Sequence, residues 1–152
     1  MIRIMAAYAH NRSVGRDYEV VEKIEAGIEL SGGEVKALRA GRASLDGAHV
    51  AIRGGEAYLI GAHIPPYQAH NTDPAYDAER VRRLLLHKGE IVRLARDIRA
   101  ARLTLVPVMV YNKKNKVKVE VALVRGKKKY DKRESIKRRD SDRDIGRTLK
   151  KG

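Results

Sequence analysis

The chain of 152 residues contains no cysteine, no tryptophan and no phenylalanine. Without cysteine there are no disulfides and no thiolate metal ligands, a composition that fits a reducing compartment. Without Phe or Trp, stacking on a base or another ring falls to seven tyrosines. No apolar run approaches the roughly 20 residues that span a bilayer. Met1-Ile-Arg-Ile-Met-Ala-Ala-Tyr8 reads as too short and too polar for a signal peptide. A phosphate-cradling G-x-x-x-x-G-K-S/T loop is also missing. His10, His49, His63, His70 and His87 lack metal-ligand spacing. Glu22, Glu25, Glu29 and Glu34 offer no pair arranged as acid and base. The sequence therefore predicts no enzyme, no cofactor and no metal site.

Positive charge is abundant. The net charge is +14. Residues 126–152 hold twelve Lys and Arg against five Asp and Glu, a net +7. Residues 1–125 hold 21 against 14, also +7 but spread over a much longer stretch. A field of this sign attracts polyanions, with RNA or DNA ahead of an anionic membrane. The length suits one domain followed by a tail.

Along the chain, Asn11 to Arg16 is a polar lead-in and 17–30 reads as strand, with Gly27 a bulge or a close backbone approach. Ser31-Gly-Gly33 breaks the pattern, 34–40 suits a short helix, and Gly41 is a stop. Short strands are predicted at 44–45, 49–53 and 56–60, with Gly54-Gly55 as a hairpin turn. A loop runs from Pro65 to Pro74. Residues 79–102 are predicted helical in two pieces broken near Lys88-Gly89. Ile91, Leu94, Ala95 and Ile98 form the stripe of the second piece. Two strands follow, 103–111 and 116–124. In the second, Val117, Val119, Val121 and Leu123 alternate with Lys116, Lys118 and Glu120. The expected fold is mainly β with peripheral α-helices: an OB-like β-barrel with about three helices.

From Gly126 the apolar pattern stops. Ile136, Ile145 and Leu149 alone cannot repay ordering the backbone, so the tail is expected to be disordered when free. Glu134/Arg138, Asp140/Arg143 and Asp144/Arg147 are nonetheless spaced for helical pairs, which predicts a helix that forms on a polyanion. Gly146 opposes it by about 1 kcal/mol. The bland alternative is a solubilising tail; with this charge the binding reading is the stronger. Arg80, Arg82, Arg83 and His87 surround Leu84-Leu-Leu86. Three successive leucines cannot all face one core. An exposed one among arginines suits contact with a base or sugar, and a solvated basic face is the equal alternative.

Asn11-Arg12, Glu25-Ala-Gly-Ile28 with Leu30, Gly32, Glu34-Val-Lys36, Leu38-Arg39, Gly41, Asp73-Pro74, Arg83-Leu-Leu-Leu-His87, Thr104-Leu-Val-Pro107, Gly126-Lys-Lys128 and Asp131-Lys-Arg133 occur in an order and spacing covering almost the whole chain. Together they resemble the SsrA-binding protein family, also called small protein B, the bacterial partner of transfer-messenger RNA. The resemblance implies an OB-like RNA-binding barrel at 1–125 and a basic tail at 126–152 that becomes helical on the ribosome. It implies trans-translation, the rescue of stalled ribosomes. The barrel would hold the tRNA-like domain, and the tail would enter the decoding centre of the small subunit and the empty mRNA channel. Elongation factor Tu would be met only indirectly, through the complex. The chain is expected to act as a monomer in the cytoplasm, away from membranes. A structural ribosomal protein or another rRNA-binding protein would share the size, charge and tail.

By that resemblance Asn11, Glu25 and Leu85 stand at positions that hold the tRNA-like RNA, on one face. Arg12, Lys36, Arg82, Arg83 and His87 join them as RNA-binding candidates. Gly126, Lys127, Lys128, Asp131, Lys132 and Arg133 match the hinge and first tail segment, and Tyr130 stands where a residue could stack on a ribosomal base. Lys137, Arg138, Arg139, Arg143, Arg147 and Lys150 are the further tail contacts. Arg16 departs from the family, standing where a His is usual.

Overall fold

The computed structural model describes residues 7–68, 70 and 72–126. Strand β1 (Ala7–His10) leads into a single helical turn, α1 (Val14–Asp17), and then the long strand β2 (Tyr18–Ile28). Helix α2 (Gly32–Arg39) follows, then the hairpin of β3 (His49–Arg53) and β4 (Glu56–Ile60). An irregular connection leads to β5 (Arg82–Leu85), helix α3 (Lys88–Ala101), and the closing hairpin of β6 (Thr104–Lys113) and β7 (Lys116–Gly126). Among the described residues the fold is mainly β with three helices.

All strand pairs are antiparallel, in the order β1-β6-β3-β4-β5-β2-β7, and β7 also pairs with β6. Six strands are thus joined edge to edge in a ring, and β1 pairs with β6 further along the strand than β3 does, at Met109 to Tyr111. The link between β3 and β6 is short, Val50 opposite Leu105. The long seams are β2 with β7, from Tyr18↔Gly126 to Gly27↔Lys118, and β6 with β7.

The alternation in β7 places Val119, Val121 and Leu123 in the core with Ile24, Ala26, Leu59, Leu84 and Leu105. Ala37 and Leu38 of α2 and Leu94 of α3 pack into the same cluster. Each fully buried leucine contributes about 1.5–3 kcal/mol relative to exposure. On the other face of β6 and β7, Val106, Val108, Ala122 and Val124 form a second small cluster under Val14 and Tyr18. The single turn α1 therefore has a structural use: it roofs sheet that would otherwise face water.

Two-residue turns close both hairpins. Gly54 and Gly55 take φ of 58° and 77°, and Lys114 and Asn115 take 50° and 64°. This left-handed pair matches the twist of the flanking strands. The expected strand at 44–45 reduces to one bridge, Ser44 to His63. Gly27 is a close approach, while the bulge of β2 lies between Val20 and Glu22.

The helix expected from residue 79 is wrong over its first half. Arg82–Leu85 is a strand between β4 and β2, with Ala57↔Leu84 on one side and Gly27↔Leu85 on the other. Its burial alternates: Arg82 and Leu84 inward, Arg83 and Leu85 outward. The period was hidden because one inward position holds arginine. Helix begins only at Lys88, where the Glu90 carboxylate accepts from the His87 N–H at 3.2 Å.

Arg82 can be inward because Glu34 is there. Glu34 is 1% and Arg82 0% exposed. Arg82 Nε donates to Glu34 Oε2 at 2.6 Å, and its other nitrogens donate to the carbonyls of Ala62 (2.8 Å), Ala78 (2.9 Å) and Arg80 (3.1 Å). Arg80 adds a second guanidinium on the same carboxylate. The Ser31 N–H donates to Glu34 Oε1 at 2.9 Å while Ser31 Oγ accepts from the Glu34 N–H, a capping box that starts α2. Tyr76, whose hydroxyl donates to the Ile64 carbonyl at 2.7 Å, completes the cluster.

Burial alone would raise the Glu34 carboxyl, but the hydrogen bonds from Arg80, Ser31 and Arg82 outweigh it and bring it down to about 2 from 4.5. A depressed acid contributes stability that is present above its unfolded value and lost as pH falls through the folded one. Stability should therefore decline between pH 4.5 and about 2 by about 3 kcal/mol from this group. Glu34→Gln at neutral pH should cost about 3–5 kcal/mol, because two arginines lose their counter-charge, one of them fully buried. Urea unfolding at pH 7 and pH 3 measures both effects, and the variant should show a flatter acid limb.

Candidate nucleic-acid interface

The outward residues of β2 run Lys23, Glu25 and Gly27, with Glu29 just beyond the strand, and the gap at Gly27 organises this face. A Cβ there would lie 3.2 Å from Leu85 Cβ, so the side chain of Leu85 occupies the space above the glycine. Leu85 is 46% exposed, an unusual position for a leucine in a paired strand. Beside it opens a cleft of about 340 Å³ whose lining includes Gly27, Leu85, Arg39, Lys116 and Lys118. An apolar side chain standing among three cations can hold a sugar or base while the cations take phosphates.

One pair further along the same face, Glu25 lies opposite Glu120. Like charges in register destabilise a sheet unless they are compensated. Here each has its own cation: Lys23 lies 3.5 Å from Glu120, and Lys113 Nζ donates to Glu25 at 3.2 Å. Tyr111 also donates its hydroxyl to Glu25. That hydrogen bond is the main cause holding the Glu25 carboxyl below the usual range. Partial burial works against it and Lys113 reinforces it. Tyr111 is shifted the other way, upward, by burial and then by the carboxylate. Glu25 is thus an ionised acceptor whose orientation is fixed by two strands, β6 and β2.

Arg83 lies outward on β5 between two acids, Glu29 at 3.2 Å and Glu56 at 3.1 Å. Among the described residues no cluster of His, Cys, Asp or Glu could hold a metal ion, and no helix is long and apolar enough to cross a membrane.

The family model described as SmpB protein matches residues 8–151. The chain belongs to the SmpB family. An SsrA-binding protein of Chloroflexus aggregans is 48% identical over 147 residues, covering 97% of this chain and 93% of that protein. An SsrA-binding protein of Chlorobaculum tepidum is 47% identical over 136 residues, covering 89% and 86%. A solved structure described as "tmRNA-SmpB: a journey to the center of the bacterial ribosome" superposes with a TM-score of 0.65 at 41% identity, covering 84% of this chain and 92% of that one.

Within this SmpB-family chain the expected RNA-binding residues do not form one set. Glu25 and Leu85 share the face around Gly27. Arg12, Lys36, Arg83 and His87 are exposed. Asn11 and Arg82 are corrections. Asn11 is 4% exposed, and its amide donates to the Pro107 carbonyl while accepting from Ser13, so it shapes the turn after β1. It lies two strands, β6 and β7, away from Glu25. Arg82 is committed to Glu34 and three carbonyls and has no surface to offer. Gly126 is exposed at the end of β7, opposite Tyr18. Lys127, Lys128, Tyr130, Asp131, Lys132, Arg133, Lys137, Arg138, Arg139, Arg143, Arg147 and Lys150 lie outside the described residues.

The sequence reading missed Tyr111, Lys113, Lys118 and Arg39. The signal for the first three was the turn. Placing it at Lys114-Asn115 sets Tyr111 opposite Lys118, and β7 then carries Lys118 to Gly27.

Tyr111→Phe keeps the buried ring and removes the donor to Glu25. The Glu25 carboxyl should then titrate closer to 4.5, since the first cause of its lowering is gone. Carbon-detected NMR titration of the glutamate carboxyls follows this directly, and an unmoved Glu25 would show that Lys113 alone sets its value.

Proposed function

We propose that the chain binds transfer-messenger RNA and brings it to stalled ribosomes for trans-translation, with no catalytic step of its own. The observation that carries this reading is the SmpB match over residues 8–151, which runs through both the strand ring and the basic segment after it. We read the ring as an OB-like barrel, residues 1–125, that holds the tRNA-like part of the RNA by the face around Gly27. Residues 126–152 are the ribosome-binding tail, helical in the decoding centre and mRNA channel. The protein works as a cytoplasmic monomer and meets elongation factor Tu only through the RNA complex.

The chemistry of the face supports a geometric rather than a bulk electrostatic recognition. Glu25, Glu29 and Glu120 repel phosphate, so a non-specific binder would not place them beside Lys118 and Leu85. A fixed carboxylate can accept from a 2′-hydroxyl or a base amino group, and this discriminates among RNAs. Glu25→Ala should weaken binding to transfer-messenger RNA even though it makes the protein more basic. Fluorescence anisotropy with the labelled RNA at fixed salt decides it; tighter binding of the variant would refute the role of Glu25.

The tail is tested separately. A chain ending at Tyr130 retains every strand of the ring and should bind transfer-messenger RNA near the parent affinity while losing peptide tagging on stalled ribosomes. Residues 131–152, if fully helical, would extend about 33 Å at 1.5 Å per residue. An isolated helix of that length is marginal in water, so it needs its partner to form. Tagging at the parent rate by the truncated chain would overturn the assignment of the tail.

A further inference from the structure

Six of the seven tyrosines lie among the described residues, and with Phe and Trp missing they are the only aromatic carbocycles there. Five of the six are buried or half-buried. Tyr67 alone is exposed, at 39%, in the connection between β4 and β5. Lys36 Nζ lies 5.9 Å from the centroid of its ring and Arg42 Cζ 5.8 Å, both within cation–π range. Arg42 also donates to the Tyr67 carbonyl at 3.0 Å, which ties this loop to the segment after α2. Pro65 and Pro66 immediately before it restrict the backbone further.

No carboxylate among the described residues forms an ion pair with Lys36, Arg39 or Arg42. The nearest acid in sequence, Glu34, is engaged by Arg80 and Arg82. A cleft of about 180 Å³ beside Tyr67 is lined in part by Lys36, Pro66, Gln68 and Thr72. Helix α2 separates this cleft from the one at Leu85, presenting Lys36 to the first and Val35 and Arg39 to the second. The two clefts thus share helix α2 as a wall.

We infer that Tyr67, with Lys36 and Arg42, is a second RNA subsite, in which an unpaired base stacks on the tyrosine ring while the two cations take the phosphates on either side. An isolated anion would need the cations but not the ring, and an acidic peptide would leave the aromatic face unused. A nucleotide uses all three. Stacking on an aromatic side chain accepts any base, so this site would anchor an unpaired nucleotide without reading its identity. The inference rests on the RNA-binding function proposed above and adds a contact to it.

The test uses the full chain and full-length transfer-messenger RNA. Tyr67→Ala should weaken binding roughly tenfold, the scale of one lost stack, whereas Tyr67→Phe should stay within about twofold of the parent. Ultraviolet cross-linking followed by nuclease and protease digestion should leave a nucleotide adduct on the peptide that contains Tyr67. Lys36→Gln with Arg42→Gln should flatten the slope of log K against log salt by roughly two units. Parent-like binding by Tyr67→Ala, with the parent chain still selecting this RNA over an unrelated RNA of equal length, overturns the subsite and leaves the function standing. An equal loss in Tyr67→Phe and Tyr67→Ala makes the hydroxyl the contact and also overturns the stack. Failure of the parent chain to select the RNA removes the function and the subsite together.

Discussion

One buried carboxylate ties together four parts of the chain. Glu34 sits in the first turn of α2, receives the Ser31 N–H from the turn before it, and holds Arg80 and Arg82 from the far end of the β4–β5 connection. Arg82 in turn takes the carbonyls of Ala62 and Ala78, pinning both ends of that connection. Two glycines in the opening turn of α2 cost about 1 kcal/mol each relative to alanine, and the short helix persists because it is capped and anchored at this point. The position of β5 follows from the same bond. With Arg82 held inward, Leu84 falls into the core and Leu85 must point out. The exposed leucine on the candidate interface is therefore a consequence of an ion pair on the opposite side of the strand.

The interface shows how a basic protein can avoid binding every RNA alike. Much of its outward charge is neutralised locally: Arg83 by Glu29 and Glu56, Lys113 by Glu25, Lys23 by Glu120. Cations without such partners among the described residues, including Lys36, Arg39, Arg42 and Lys118, are grouped along α2 and the neighbouring end of β7. Long-range attraction brings a polyanion close, but the paired charges contribute little net field, so the cations without ion-pair partners bias where it settles.

Much of this could be read from the residues. The strict alternation of Val117 to Leu123 gave β7 its inward face, Gly54-Gly55 gave the hairpin, and the Ile91, Leu94, Ile98 spacing gave α3. Ser31-Gly-Gly-Glu34 is a capping-box spelling, but the paired glycines looked like a break and delayed the start of α2. The strand β5 was misread for a deeper reason. An inward arginine looks like a polar face until its partner is known, and Glu34 lies 48 residues earlier in the chain. The same limit applies to the site. That one of three leucines would be exposed followed from their succession; that it would stand over Gly27 required the pairing of β5 with β2. Asn11 was expected to face the RNA, and nothing local in the sequence showed that its amide turns inward to Pro107.

Ring closure has a kinetic side. One of the two long seams joins β2 to β7, the first long strand and the last strand among the described residues. During synthesis β2 has its β5 neighbour only at Gly27 and Ile28, and most of its length waits for a strand not yet translated. Pairing of ends so distant in sequence must overcome loop-closure entropy before any contact rewards it, which makes it slow. In that interval Val20 to Ile24 and the valine-rich β6 present free edges suited to pairing with another copy. Lys23 and the glutamates at 19, 22 and 25 then act as gatekeepers, spacing charge along the very edge that stays open longest.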